Sequence, residues 1–304
     1  MTETGWRYRR LAALVVVAAA AVLLLAPLPV GMRTGWRAKL LDFGHVPLFA
    51  VLVVALRGGL GLRLGWSVLV VVAAAGLVEV VQPHVGRSGD WGDFARGALG
   101  ALAAAAVIRA AGSCRARAVG WLAVAAGLVA WPVAEVAPCL IDAAEAHRAF
   151  PVLASFETDR ELLRWEWHQA ELARVPDPDR PGGWAGRLDL LPGPEPYPGA
   201  GLHPVVADFR GHRRLCCRFR VVGGPLELVI SVRTGTGDPR RTTHAQVERT
   251  YAEGEHTVRL DLGALTAAAR PDPLDLSDVR YVQFFTVRPA ATHTVFISRV
   301  WLEP

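Results

Sequence analysis

The sequence predicts an all-α membrane bundle of about five transmembrane helices followed by an all-β jelly-roll sandwich. Apolar residues make up 52% of the 304 positions, yet the excess lies before about residue 140. There it is gathered into five runs, each about long enough to cross a bilayer. From about residue 150 the pattern changes to short runs, many alternating apolar and polar, separated by Gly, Pro and Asp clusters. The expected organisation is a transmembrane domain over 1–137, a linker over 138–149 and a sandwich over 150–304.

The first run, 11–30, follows Arg7, Arg9 and Arg10. Its length, with further spans to come, argues for an uncleaved helix entering from the cytoplasm rather than a signal peptide. The second, 43–62, opens beside Asp42 and His45, which are three apart and share one helical face. The third, 65–81, closes on Glu79, with Gln82 just beyond. The fourth, 94–111, begins after Asp93, a carboxylate at the positive end of the helix dipole. The fifth, 118–136, contains Pro132 and carries Glu135 near its exit, and 138–149 reads as a short helical linker. Arginines 7, 9, 10, 57, 63, 109, 115 and 117 then lie inside, against Arg33, Arg37, Lys39, Arg87 and Arg96 outside. That bias follows the positive-inside rule and puts the C-terminal domain outside the cytoplasm.

This topology delivers Asp42, His45, Glu79, Gln82, Arg87 and Asp93 to the same outer side of the membrane. Ionisable groups in such a setting are expensive and mark a candidate polar site. Each has a plainer role open to it: Glu79 can pair with Arg87 or Arg96, His45 can pack between helices, and Asp93 can cap the fourth helix. Gly97 and Gly100 suit close packing. His45, His84 and the carboxylates form no HExxH or Cys/His spacing, so no metal and no cofactor is expected.

These residues resemble the signatures of VanZ-like membrane proteins: Asp42-x-x-His45 with Phe49, then Glu79-x-x-Gln82, Arg87, Asp93 and Gly100. Where that family usually has Asn four residues after the Asp, this chain has Gly97, and a further family glycine falls at Ala104. The resemblance covers roughly residues 10–112 and implies a multi-pass envelope protein, the family being named for a glycopeptide-resistance accessory protein.

The net charge of +5 is carried almost wholly by dispersed arginines, Lys39 being the only lysine. With no dense basic tract or interleaved aromatic stripe, nucleic-acid binding is excluded as a leading reading. The Arg-for-Lys and Ala/Val/Gly bias points to a bacterium with a GC-rich genome. Four cysteines, two of them the adjacent Cys216 and Cys217, make no disulfide framework. On a strand the adjacent pair points to opposite faces.

In the second half, ASFET, ELLRWEWH, AELARV, WAGRLDLL, VVADF, RLCCRFRVV, LELVISVR, THAQVERTY, HTVRLDL, VRYVQFFTV and TVFISRVWL read as strands, with GALTAAA as a helical insert. Alternation puts Leu215, Cys217, Phe219 and Val221 on one face and Arg214, Cys216, Arg218 and Arg220 on the other. RTGTGDPRR reads as a hairpin turn, since it lacks the context of a phosphate-binding loop. The opening FETDRELLRWEW and the closing LDLSDVRYVQFFTVRPAATHTVFISRVWLEP resemble jelly-roll carbohydrate-binding and galactose-binding-like modules. Such modules typically hold a structural calcium through an Asp where this chain has Ser298. The resemblance makes Trp165, Trp167 and Trp184 candidates for stacking on sugar, with Tyr197 and Trp301 behind them. No carboxylate pair stands out as a glycosidase would require.

The expected function is therefore that of an accessory or binding protein in the bacterial cell envelope, multi-pass, with its N-terminus cytoplasmic. Its partners are a membrane lipid or lipid-linked envelope precursor, and a glycan for the sandwich. The alternatives are an enzyme acting on a lipid-linked precursor, with His45 or Glu79 as base and Arg87 holding an anionic group, or a sandwich on a mere anchor.

Overall fold

A computed structural model describes residues 3–26, 35–85, 89–235 and 242–304. Its contacts divide the chain into a helical unit ending at Ala137 and a second unit over Pro138–Pro304.

The first half contains α1 (Glu3–Leu25), α2 (Gly35–Leu60), α3 (Leu64–Val81), a 3-10 turn (Gln82–Val85), α4 (Trp91–Ala111) and α5 (Arg115–Ala149). All five helices are long and apolar enough to cross a membrane. Leu11, Leu14, Val22, Val51, Leu69, Leu77, Val80 and Leu122 are exposed, so the bundle is oily outside as well as within. Its interior is built from Phe49, Val53, Val71, Ala75 and Ala101. Small residues set the helix spacing. A side chain at Gly100 would run into the Val46 backbone of α2, and a Cβ at Gly97 would stand 3.0 Å from the Phe49 ring. Phe49, 1% exposed, fills the space beside Gly97.

One expectation about the elements changes here. The linker over 138–149 is not separate from the fifth span: α5 is a single helix of 35 residues that runs through Pro132 and Pro138. At ~1.5 Å per residue it measures roughly 52 Å, well beyond a hydrocarbon core of ~30 Å.

The second half is an antiparallel β-sandwich. One sheet has the order β3 (Ala170–Pro176), β4 (Trp184–Leu190), β11 (His293–Glu303), β6 (Arg214–Val222), β9 (Gly254–Asp261), with β1 (Val152–Ala154) also on β11. The other has the order β2 (Trp165–His168), β5 (Gly199–Leu202), β10 (Val279–Phe285), β7 (Leu226–Thr234), β8 (Thr243–Tyr251). Leu188, Leu202, Leu215, Phe219, Leu228, Val282, Phe284 and Ile297 are all 0% exposed between the sheets.

The inward set Leu215, Cys217, Phe219 and Val221 is buried as alternation requires, and α6 (Leu262–Ala268) occupies the GALTAAA segment. VVADF forms no strand, whereas GAGL at 199–202 does, although glycine and alanine carry no strand propensity. ASFET is not a strand: Phe156 adopts φ 59, and the strand comes just before it at β1. The ELLR of ELLRWEWH lies in a 3-10 turn, Asp159–Arg164, ahead of β2. The hairpin turn expected in RTGTGDPRR falls largely in 236–241, outside the described residues, but its flanks pair from Thr234 and Thr243 onward.

Candidate functional sites

At one end of the helical unit a polar cluster forms among the start of α2, the end of α3 and the start of α4. Asp90 caps α4, its carboxylate accepting from the Gly92 N–H at 2.8 Å, so Asp93 is not the cap but a first-turn residue, 8% exposed. His45 lies one helix away, its Nδ1 3.1 Å from the Asp42 carbonyl and 3.6 Å from Asp93 Oδ1. Its Nε2 is buried without a hydrogen-bond partner. Arg96, one turn after Asp93, donates to it at 2.9 Å and reaches Glu135 of α5 at 3.2 Å. Glu79 accepts from the Asp90 N–H at 2.6 Å.

Of the six residues expected here, Asp42, His45, Glu79 and Asp93 come together. Gln82 does not: it is 0% exposed and donates to the Leu24 carbonyl of α1 at 3.2 Å, tying two helix ends. Arg87 lies outside the described residues. Sequence reasoning gave Arg96 and Glu135 no place in the site, although the i,i+3 spacing of Asp93 and Arg96 was available as a signal. Arg96 pairs with Asp93 and Glu135 and not with Glu79. Among the described residues no three His, Cys, Asp or Glu side chains gather as a metal would need.

On the sandwich the expected tryptophans do not share a platform. Trp165 is 4% exposed and stacks between Phe156 and Phe284, so it belongs to the core and offers no ring face to a sugar. Trp167 is exposed on edge strand β2, while Trp184 lies on the other sheet with the Arg174 guanidinium 3.4 Å from its ring centre.

A second surface brings rings and polar side chains together. On the outer face of the five-stranded sheet the register lines up three rows. The first runs Tyr281, Arg233, His244. The second runs Glu166, Gly201, Gln283, Ser231, Gln246, and the third His168, Gly199, Phe285, Val229, Glu248. The ring of Tyr281 lies where a side chain at Gly201 would otherwise be, and a Cβ at Gly199 would meet the Phe284 carbonyl and the Phe285 backbone and Cβ. Tyr197 meets Phe285 edge-on at 5.7 Å, and His203 sits 4.7 Å from the Tyr281 ring.

Two polar atoms on this face, Ser231 Oγ and Gln283 Oε1, are buried with no hydrogen-bond partner, and they stand directly opposite each other in the register. Unmet buried polar atoms are uncommon and ask for an explanation. Burial pushes the Tyr281 hydroxyl up to about 12, keeping it a neutral donor. A hydrogen bond from His203 holds Glu166 below its ordinary value. Its charge therefore stabilises the fold above the usual glutamate range, and that contribution is lost as pH falls through the lowered value. Sequence reasoning missed this face because YVQFF reads as a core strand; only the pairing partners tell which ring points out.

No family model matches the chain, and no curated protein matches it. Among solved structures, it is similar to the family 11 carbohydrate-binding module from Clostridium thermocellum in complex with a β-1,3-1,4-mixed-linked tetrasaccharide. That similarity is at 13% identity over 50% of this chain and 94% of that one, with a TM-score of 0.41. It is also similar to an exo-β-agarase, at 14% identity over 50% of this chain and 25% of that one, TM-score 0.41. A third is the family 30 carbohydrate-binding module of a Clostridium thermocellum cellulosomal cellulase, at 15% identity over 46% of this chain and 90% of that one, TM-score 0.38.

Proposed function

We propose that this chain is a multi-pass envelope protein of the VanZ-like type that holds a glycan-binding sandwich outside the cytoplasm. The observation that carries the glycan reading is the set of rings on one sheet face, exposed Tyr197 against Phe285 and Tyr281 beside His203, in rows that also hold the amides of Gln283 and Gln246. A sugar presents apolar ring faces to aromatic side chains and hydroxyls to amides and hydroxyls, so it meets both halves of this surface at once. Supporting the membrane reading, five apolar helices expose leucine and valine on their outer surfaces. The helical polar cluster supports a role beyond anchoring: His45 Nε2 is held buried with no partner while its other nitrogen faces Asp42 and Asp93. A lipid or lipid-linked head group is the partner proposed for it.

The full-length protein in detergent micelles, screened against an array of envelope and plant-type oligosaccharides, tests the glycan reading. Tyr281→Ala is expected to weaken the best ligand by about tenfold, which corresponds to ~1.4 kcal/mol. Absence of binding across the array, or an unchanged affinity in the variant, would remove it.

The topology is tested by thiol labelling. Cys114 is exposed, while Cys139, Cys216 and Cys217 are buried. Burial also pushes Cys216 up to about 11 and Cys217 higher still, so neither is reactive near neutrality. A membrane-impermeant maleimide is expected to label Cys114 only after permeabilisation. Labelling in intact cells would reverse the proposed orientation.

A further inference from the structure

Resting on the glycan reading above, we infer that the outer face of the five-stranded sheet takes an acidic glycan, with Arg233 pairing with the sugar's anionic group.

The argument begins with how this sandwich treats its other arginines. Among the described residues of the sandwich, Arg160, Arg164, Arg174, Arg220 and Arg280 are all at least half-buried, and each has a carboxylate of its own. The partners are Glu145 at 2.7 Å, Asp142 at 2.8 Å, Asp159 at 3.5 Å, Asp179, and Asp278 at 2.7 Å. Arg233 is half-buried too, yet among the described residues no carboxylate lies within ion-pair distance of it; its Nε, like those of Arg160, Arg164 and Arg280, is buried with no hydrogen-bond partner. Its recorded neighbour is a ring, Tyr281, 5.9 Å from the guanidinium carbon. Taking a guanidinium partly out of water is expensive unless an anion or acceptor meets it. Among the described residues no carboxylate meets it, at the edge of a face that already carries two unmet polar atoms.

Position fixes how the ligand would lie. Arg233 stands in the row next to Ser231 and Gln283, with Tyr281 opposite it on β10 and His244 opposite it on β8. The acids of this face are elsewhere. Glu166 is on β2, three strands from β7, and is engaged by His203 at 3.1 Å. Glu227 and Glu248 lie toward the far end, where the neighbouring carboxylate of Glu248 raises Glu227. Six residues along β7 separate Glu227 from Arg233, roughly 20 Å at the rise of a strand. The face is thus graded from cation to anion over the length of a few sugar units. An anionic residue sits at Arg233, neutral residues follow across Gln283 and Ser231, and the reverse orientation is repelled. A guanidinium binds carboxylate and phosphate alike through its planar fork, so either group on the sugar satisfies the site.

The test uses the full-length protein in detergent micelles and two matched pairs of probes: an oligogalacturonide with its methyl ester, and a phosphomannan oligosaccharide with its dephosphorylated form. In at least one pair the acidic member is expected to bind about tenfold more tightly than its neutral partner at low salt. Which pair shows the preference distinguishes a carboxylate from a phosphate. Arg233→Gln should bring the acidic member down to the neutral one, while Arg233→Lys should keep part of the preference, which separates charge recognition from a folding defect. Equal binding within both pairs, or a preference that survives in Arg233→Gln, overturns the acidic-glycan inference and leaves the glycan reading standing. Binding to none of the four, together with a blank array, overturns both.

Discussion

Arg164→Ala should destabilise the sandwich by about 3–5 kcal/mol, the range for removing one partner of a buried ion pair. Arg164 is 5% exposed. Its guanidinium meets Asp142 Oδ2 at 2.8 Å and Glu161 Oε2 at 3.3 Å, and donates to the Leu153 carbonyl at 2.5 Å. Asp142, on the last turns of α5, is itself 2% exposed, and its Oδ1 has no other partner. Glu161 is committed to the backbone N–H groups of Ser155, Phe156 and Glu157 at 2.8–3.0 Å. Truncating the arginine therefore strands the Asp142 carboxylate and the Leu153 carbonyl, while Glu161 keeps its backbone donors. For a unit of this size each kcal/mol shifts the melting temperature by ~2–4 °C, so a drop of roughly 10 °C is expected in thermal unfolding. A double change, Arg164→Met with Asp142→Leu, should recover most of it, because an apolar pair of similar volume has no charge left to desolvate. An Arg164→Ala protein that melts within 2–3 °C of the parent would show that water reaches this pair.

Arg96→Ala should have the larger effect of any single change in the helical unit, on the order of 3 kcal/mol. The guanidinium holds Asp93 at 2.9 Å and Glu135 at 3.2 Å, with Asp90 at 4.0 Å. Without it Asp93, buried beside His45, keeps a charge with no strong partner, in surroundings of alanine, leucine and phenylalanine. Arg96→Lys should retain part of the loss, since an ammonium reaches one carboxylate well but cannot span two as the planar fork does. Denaturant or heat unfolding of the full-length protein in micelles, followed by helical circular dichroism, measures the series. If Arg96→Ala and the parent unfold together, the cluster is a solvated end of the bundle and not an interior network.

Much of this architecture could be read from the residues because the two halves use different periods. Runs of about twenty apolar residues have few alternatives to a long helix, and a span count places residues at one end or the other. That is why the span count alone puts Asp42, His45, Glu79 and Asp93 at one end of the bundle. Gln82 was misplaced because a span count gives the end of a helix and not its rotation, and Gln82 turns toward α1. Arg96 and Glu135 were overlooked for the same reason: their pairing crosses from α4 to α5. On the sandwich, alternation correctly separated inside from outside along β6, whose run is long. It failed at β2, where Trp165 begins the strand at the core and the four-residue run is too short to set a phase. At β5 it gave no signal, because the glycines at 199 and 201 leave only Ala200 and Leu202, both inward, to mark the strand.

That bare strand has a further consequence. Where most recognition surfaces acquire relief by adding bulk, the sugar platform proposed here would owe its depth to atoms that are missing. A hydrogen stands in place of a side chain at 201, where the Tyr281 ring settles into the vacancy, and another at 199, where the β10 backbone comes close. A methyl at 201 would lift the ring and one at 199 would push β10 away, so drift at either position would change the shape while every polar group stayed in its row.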